Sequence, residues 1–224
     1  NNVRGQVGDG TTSHRKEPVR VLDGVRAAAG GLYHSVAVKR DGTLWAWGNN
    51  GHGQIGDGTR VHRSSPSLVL ADVLRVSLGY QHTVAIRSDA SLWAWGSNDR
   101  GQLGDGTSED RETPVQVMTG AEAVVAGDHH TVALRKDGSV WAWGENAKGQ
   151  IGDGTLVDRW LPVKVLAAAQ QVFAAANTTL AVLGDQTLWG WGQNTTSQVG
   201  TGDSTDVTQP AQVLTGVVRV AAGQ

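Results

Sequence analysis

The sequence predicts an all-β fold, a β-propeller made of four-stranded antiparallel blades. A Trp-x-Trp-Gly tetrapeptide recurs every 48 residues, at 45–48, 93–96, 141–144 and 189–192. The 224 residues include 31 glycines, which favour many tight turns over long helices. Each period also contains short segments of alternating apolar and polar residues, the pattern of β-strands. Four short strands in a repeat of about 40–50 residues are typical of a propeller blade.

The unbroken period indicates one array of blades. We expect a single propeller domain or propeller fragment, with four full blades plus partial ones. A solenoid of β-strands is the competing fold, but its coils are usually shorter and have fewer hairpin turns. The array covers residues 1–224, as repeat units 1–48, 49–96, 97–144 and 145–192 and a partial unit 193–224.

The first strand of each predicted blade is rich in Ala and Gly. Residues 25–31 are an example, and such small residues fit an inner position that lines a central channel. The second strand starts at a histidine and alternates, as in His34–Val38. Asp41-Gly42 then predicts a hairpin turn. The Trp strand follows, with both Trp side chains of the tetrapeptide on one face because successive residues of a strand point to opposite sides.

The fourth strand follows a glycine-rich loop. The loop at 101–107 is typical, and an arginine then recurs three residues before four of the five prolines, as in Arg111 and Pro114. Because proline is tolerated on a sheet edge, the alternating segment behind it is predicted to be the outer strand. The fourth unit departs from the pattern, with Thr178 in place of the histidine. Residues 217–223 are predicted to form a fifth inner strand.

These motifs resemble the regulator of chromosome condensation repeat. The pattern Val-x-x-Gly-x-x-His-Thr-x-Ala-Leu lies at Val124–Leu134, and Asp-Gly-x-Val-Trp-x-Trp-Gly lies at Asp137–Gly144. Asn-x-x-Gly-Gln-Leu-Gly-Asp-Gly lies at Asn98–Gly106, before Pro114. The resemblance implies a propeller, typically of seven blades, in which strands from both chain ends close the ring. The Trp-Ala-Trp-Gly form resembles the bacterial branch of the family.

The resemblance leaves the function open, because a fold does not determine one. The family includes a nucleotide exchange factor for a small nuclear GTPase, inhibitors of β-lactamase, and proteins of unknown partner. No exchange-factor catalytic loop matches this sequence, and no basic tail for chromatin is present. We therefore expect a non-enzymatic scaffold that binds a protein. A guanine-nucleotide exchange factor and a lectin-like sugar binder are the alternatives, the latter because of exposed Tyr and Trp160 in a variable loop.

The amino-acid composition excludes several kinds of partner and site. A formal charge of −2 with scattered Lys and Arg predicts no nucleic-acid binding. The chain has no cysteine, which excludes thiolate metal sites and Cys nucleophiles. No apolar run approaches the roughly 20 residues of a membrane helix. We expect no cofactor and no membrane association, and the sequence is compatible with an extracellular or a cytoplasmic address.

Three apparent motifs are predicted to be structural. Gly51–Gly56 matches a dinucleotide fingerprint, but no helix pattern follows it. The repeated histidines, such as His82, lie one blade apart and cannot meet at one metal ion, since stacked sheets are about 10 Å apart. We expect each to hydrogen-bond within its own blade. The repeated loop aspartates, such as Asp105, are predicted to bond nearby backbone as turn residues.

Binding is predicted where the units differ. The loops between first and second strands, and between third and fourth strands, emerge on the same face of an antiparallel blade. Their variable positions offer aromatic and charged side chains, which are common binding anchors. The candidate binding residues are Tyr33, His52, Tyr80, Gln81, Asp99, Arg100, Asp128, His129, Lys148 and Asn177.

Closure of the ring is the last expectation. An open arc exposes apolar blade faces and unpaired strand edges, which proteins generally avoid. Further blades, closure as five blades, or self-association would each cover them. Further blades are favoured, because both ends of the sequence fall inside a repeat unit.

Overall fold

A computed structural model describes residues 1–221 and contains four sheets, each of four antiparallel strands. The all-β prediction is confirmed, and no helix able to span a membrane occurs within this range. The strands are β1 (Val25–Gly30), β2 (His34–Lys39), β3 (Leu44–Gly48), β4 (Arg63–Leu70), β5 (Val73–Leu78), β6 (His82–Arg87), β7 (Leu92–Gly96), β8 (Arg111–Met118), β9 (Ala121–Ala126), β10 (His130–Arg135), β11 (Val140–Gly144), β12 (Arg159–Leu166), β13 (Ala169–Ala175), β14 (Thr178–Leu183), β15 (Leu188–Gly192) and β16 (Val207–Leu214).

Each sheet is one blade, and its strands pair in chain order from the inner to the outer strand. The inner strands of successive blades are neighbours: β1 packs beside β5, β5 beside β9, and β9 beside β13. The first and fourth blades share no comparable contact among the residues described. The four blades, at 25–70, 73–118, 121–166 and 169–214, therefore form consecutive members of an arc.

The hairpin turns between second and third strands are set by an aspartate. Asp41 Oδ1 accepts hydrogen bonds from the backbone N–H of Thr43 at 3.0 Å and from its hydroxyl at 2.6 Å. The next residue takes a positive φ, 82° at Gly42 and 64° at Ala90. The second value explains how Asp89-Ala90 keeps the turn without glycine, because the aspartate bonds are also present there.

The outer strands β4, β8 and β12 begin at the repeated arginine rather than at the proline, and β16 begins at the equivalent Val207. In β8, Arg111 pairs with Gly96 and Val115 with Ala94, and the register shifts between these two pairs. Pro114 lies in the irregular stretch on the outer edge of the blade. This placement needs no ladder bond from the proline, which has no N–H to donate.

Two predicted strands at the ends of the chain are wrong. Residues 18–22 form no strand, although they carry the proline pattern. An outer strand needs a Trp strand beside it, and the first Trp strand in this sequence, β3, already pairs with β4. The predicted fifth inner strand is absent over 217–221, and its remaining residues lie outside the described range.

Three apolar cores lie between neighbouring blades. The core between the first two blades contains Leu44, Ile55, Val73 and Trp95, all 0–1% exposed. Trp143 and Trp191 occupy the same place in the next two cores. The second Trp of the second, third and fourth tetrapeptides thus packs against the preceding blade, which explains why these copies of the repeat retain it. Burial of one such indole removes roughly 150–250 Å² from water.

Candidate functional site

Neighbouring blades are connected by a chain of side-chain hydrogen bonds, here called the blade joint. Between the first two blades it comprises His34, Gln54, Thr83 and Trp95. The Gln54 carbonyl accepts from Thr83 Oγ1 at 2.9 Å and from Trp95 Nε1 at 3.0 Å. Because the Thr83 hydroxyl donates to that carbonyl, it accepts from His34 Nε2, 3.0 Å away. The same joint recurs between the second and third blades and between the third and fourth.

The expectation that each histidine bonds within its own blade is wrong. His34, His82 and His130 all reach the threonine 49 residues further on, in the next blade. Burial lowers the pKa of His34 to about 4 and that of His82 to about 3. The Nδ1 atoms have no hydrogen-bond partner among the described residues. These histidines are therefore neutral at pH 7, with the proton on Nε2.

A glycine beside each histidine makes room for the joint. At Gly79, an added Cβ would lie 2.1 Å from His82 Cε1 and 2.6 Å from the Gly127 carbonyl oxygen. Gly127 faces His130 at the same short distance. The glycine recurs three residues before every joint histidine, but its role was not predicted from the sequence. The signal was present in the spacing, but the contact depends on packing between blades.

The glycine-rich loops are held by the repeated aspartate, as predicted. Asp105 Oδ1 accepts from the backbone and hydroxyl of Thr107, at 3.0 and 2.7 Å. Arg111 Nε donates to Asp105 Oδ2 at 2.7 Å, and this ion pair was not predicted from the sequence. Burial alone would raise the pKa of Asp105, but these hydrogen bonds outweigh it and lower the pKa. No group of three His, Cys, Asp or Glu within residues 1–221 could hold a metal ion.

A buried asparagine completes each loop. Asn98 is 0% exposed, and its Nδ2 donates to Asp105 Oδ1 at 3.1 Å and to the Thr107 carbonyl at 2.9 Å. Its Oδ1 accepts from the Leu103 backbone at 3.0 Å. These bonds fix the loop backbone before any partner arrives. The loop is thus a rigid support for the variable residues within it.

Three of the predicted binding residues form a cluster, here called the aromatic row. Tyr33 and Tyr80 contact edge to face, with ring centroids 6.3 Å apart. Tyr80 and His129 are 5.5 Å apart with a tilt of 35°. The three residues come from the loops between first and second strands of three consecutive blades, and all are half-buried. The row therefore crosses two blade boundaries on the predicted face.

The loops that carry the row are tied to one another through their backbones. The Tyr80 N–H donates to the Asp128 carbonyl at 3.0 Å, and the Asp128 N–H donates to the Ala176 carbonyl at 3.0 Å. Asn177 bonds the side chains of Gln150 and Gln193. Gln81, Asp128 and Asn177 are also half-buried in these loops. The inner part of the face is thus pre-organised.

The basic candidates lie further out and bridge successive loops. His52 Nδ1 is 2.9 Å from Asp110 Oδ2. Arg100 lies 3.9 Å from Asp158, and Lys148 lies 3.5 Å from Asp206. Each pair joins one loop to the next, 58 residues away in the sequence. These three candidates therefore form an outer set, separate from the aromatic row.

Asp99 lies between the two sets. Its Oδ1 accepts from Gln102 Nε2 at 3.2 Å and from Ser97 Oγ at 3.2 Å. Burial tends to raise its pKa, but these hydrogen bonds and the nearby His129 lower it. Asp99 is therefore a carboxylate at neutral pH. With its exposed position, it adds negative charge beside the row.

The structure also decides the position of the Gly51–Gly56 motif and of Trp160. Gly51–Gly56 lies in a loop with no helix behind it, so the dinucleotide motif is absent in three dimensions. Trp160 was expected in a variable loop, but it is the second residue of β12. The loop of its unit ends two residues earlier, because the outer strand begins at Arg159.

Residues 1–224 match the family model of the RCC1-like domain. The chain belongs to this family. The human protein WBSCR16 is a structural neighbour with a TM-score of 0.87 and 24% identity, and it covers 100% of this chain and 63% of that one. Yeast RCC1 (Prp20), solved bound to Kap60, has a TM-score of 0.76 and 23% identity over 86% of this chain and 49% of the other.

A second structure of Prp20p from Saccharomyces cerevisiae, described with its binding to Gsp1p and histones, has a TM-score of 0.75 and 24% identity. It covers 86% of this chain and 51% of that one. The RCC1-like chain thus spans about half to two thirds of the length of these neighbours. At this identity the likeness establishes the propeller fold. No curated protein matches the sequence significantly.

Proposed function

We propose that this RCC1-like domain is a non-enzymatic module that binds a protein partner through the aromatic row and the loops around it. The observation that carries the proposal is the contact of Tyr33, Tyr80 and His129 across three blades. Their rings are partly exposed on loops that hydrogen bonds already fix. Aromatic side chains are strong interface anchors, and rigid loops lose little conformational entropy on binding.

The loop positions support this role because the repeat does not require their side chains. Tyr33 is replaced by Gln81, His129 and Asn177 in the three later units. The joint residues beneath them are nearly constant. A face in which only the exposed positions change can acquire a partner without loss of the fold. The neighbouring Prp20p, described with its binding to Gsp1p and histones, is an example of a protein-binding member of this fold.

The proposal is tested by capture of partners from a lysate of the source organism. The variant Tyr33→Gln/Tyr80→Asp carries the residues that the next unit has at these positions, Gln81 and Asp128. We expect it to lose the partner that the parent protein captures. The matched control is Arg40→Ser/Lys136→Ser on the opposite face, where the second unit has Ser88. Retention by the first variant and loss by the control would contradict the proposal.

A guanine-nucleotide exchange factor is the second candidate function. The observation in its favour is the similarity to Prp20p, which is described as binding Gsp1p. Release of labelled nucleotide from a panel of small GTPases separates the two candidates. The binding module predicts no acceleration at any GTPase, whereas an exchange factor accelerates release from at least one.

A further inference from the structure

The third blade carries an exposed apolar group where the other repeat units are polar. Leu156, Val157, Trp160 and Leu161, here called the apolar corner, are 57%, 60%, 38% and 60% exposed. Among the sixteen equivalent positions in the other units, Val61 is the one apolar residue. The equivalents are Thr12, Ser13, Lys16, Glu17, Arg60, Val61, Ser64, Ser65, Ser108, Glu109, Glu112, Thr113, Ser204, Thr205, Thr208 and Gln209.

The repeat itself therefore shows that the fold does not need this group. Thr208 and Gln209 occupy the start of β16 in the position that Trp160 and Leu161 occupy in β12. Both strands have the same length and pair with their Trp strands in the same register.

Trp160 and Leu161 both lie beside Gly106, and Leu156 and Val157 belong to the loop that leads into the same strand. Exposed apolar side chains that adjoin one another mark an interaction surface. Packing within the blade does not explain Leu156, Val157 and Leu161, because each of these side chains is more than half exposed.

Trp160 is held as a platform in this corner. Its carbonyl accepts from the Gly106 N–H at 2.9 Å. Its indole lies over Gly101, where an added Cβ would be 2.7 Å from Trp160 Cε3. One side of the ring is thus packed against the preceding loop, and the rest faces a shallow cavity of about 380 Å³. A fixed, half-exposed indole loses little entropy when a partner covers it.

The residues that line the cavity indicate which charge a ligand should carry. Gly106, Thr107, Ser108 and Glu109 line it together with Trp160. Glu109 is exposed and forms no ion pair within residues 1–221. A basic side chain would complement this carboxylate at the edge of the apolar surface.

We propose that the apolar corner is a docking site for a peptide segment of a protein partner, with large apolar residues on Trp160 and Leu161 and a Lys or Arg beside Glu109. The inference does not depend on the aromatic row, since it uses other residues. The exposed Leu161 beside the indole favours an apolar peptide over a saccharide, for which one aromatic platform with polar neighbours would suffice. The site extends the binding surface to the outer rim of the propeller.

The test uses a library of 12-residue peptides displayed on phage and selected on the intact 224-residue chain. Selected peptides should contain at least two large apolar residues and one Lys or Arg. Synthetic copies are then measured by fluorescence polarisation. The variant Trp160→Thr/Leu161→Gln, which copies Thr208 and Gln209, should bind at least about tenfold more weakly, the effect of losing a central anchor. Glu109→Lys should also weaken binding, and the loss should be larger at low salt.

The matched control is Glu112→Thr/Thr113→Gln, the same exchange in the second blade, which should bind as the parent does. All variants should melt as the parent does, because the replaced side chains are exposed or half-buried. Failure to select any peptide, equal binding by the Trp160 variant, or indifference to Glu109→Lys would overturn the proposal. Glycan-array binding that depends on Trp160, without peptide binding, would assign the corner to a saccharide instead.

Discussion

The blade joints and the aromatic row lie a few residues apart, yet the repeat treats them in opposite ways. The joint bonds are nearly identical in three copies, with histidine-to-threonine distances of 3.0, 3.1 and 3.0 Å. The row takes Tyr33 and His129 from one loop position and Tyr80 from the position before it, and the repeat units differ at both positions. The joint is enclosed between two blades, whereas the row borders solvent. Repetition thus marks the contacts that the stack requires, and variation marks the surface that is free to change.

The comparison also separates stability from recognition. A joint residue contacts the next copy of the repeat, so a change in it must fit two blades at once. A row residue contacts neighbouring loops only along part of its ring. Substitutions at joints should therefore lower the free energy of unfolding, and substitutions in the row should leave it nearly unchanged.

The largest expected effect of a change at one joint comes from removal of its indole. Trp95 is 0% exposed in the core between the first two blades. Trp95→Ala should cost roughly 3–5 kcal/mol, because it leaves a cavity. For a protein of this size that lowers the melting temperature by roughly 6–20 °C, which calorimetry measures. Trp160→Thr is the control and should cost under about 1 kcal/mol, since the fold already carries Thr208 there. Equal losses of unfolding free energy in the two variants would contradict the distinction between the buried Trp95 and the half-exposed Trp160.

Acid should weaken the joints next. Their histidines have lowered pKa values in the folded state, about 3 for His82 and His130. The folded state therefore binds fewer protons than the unfolded state, whose histidines titrate near pH 6.5. The contribution of the joints to the free energy of unfolding is complete above that pH, and it falls as the pH drops from about 6.5 towards 3. At pH 5 the loss should be on the order of 2 kcal/mol per joint.

Urea unfolding at pH 7.5 and pH 5 measures this effect. The window lies above the usual titration range of aspartate, so carboxylates contribute little to the difference. His82→Gln should lower the stability at pH 7.5 and reduce its dependence on pH. Equal unfolding midpoints at both pH values would show that the joints are not sealed from water.

A smaller effect is expected from crowding a joint. In Gly79→Ala the new methyl group would meet the His82 ring and the Gly127 carbonyl. Overpacking of this kind costs about 1–3 kcal/mol. Gly30→Ala is the control, because nothing lies within 4 Å of an added Cβ there. A thermal melt that falls for the control as much as for Gly79→Ala would contradict the assigned contact.

The sequence predicted the blades well because their signals are local and periodic. The 48-residue spacing is visible as a repeat along the chain. The Asp41-Gly42 turn and the alternation of β2 depend on residues close in the chain. The partner of His34 was mispredicted because Thr83 lies in the next repeat unit, and a periodic pattern does not show which unit a side chain faces. Residues 18–22 were predicted to form an outer strand because they carry the strand pattern. They form none, because no Trp strand among the residues described is free to pair with them.

The sequence did not separate the candidate residues of the aromatic row from those of the outer set. Variability predicted which face binds a partner, but it could not distinguish Tyr80, which contacts two other rings, from Arg100, which pairs with Asp158. That distinction depends on distances between consecutive loops. The apolar corner was visible in the sequence as four departures from the repeat within residues 156–161, yet its significance required the exposed fractions.

The central claim is that the aromatic row contributes binding and the joints contribute stability. The most direct test is calorimetric melting of Tyr33→Gln/Tyr80→Asp/His129→Asn, in which each residue is replaced by the one that the next unit carries. The same sample is then titrated with the captured partner. We predict a melting temperature within about 2 °C of the parent and at least about tenfold weaker binding. A fall in melting temperature like that of Gly79→Ala, or unchanged affinity, would contradict the account.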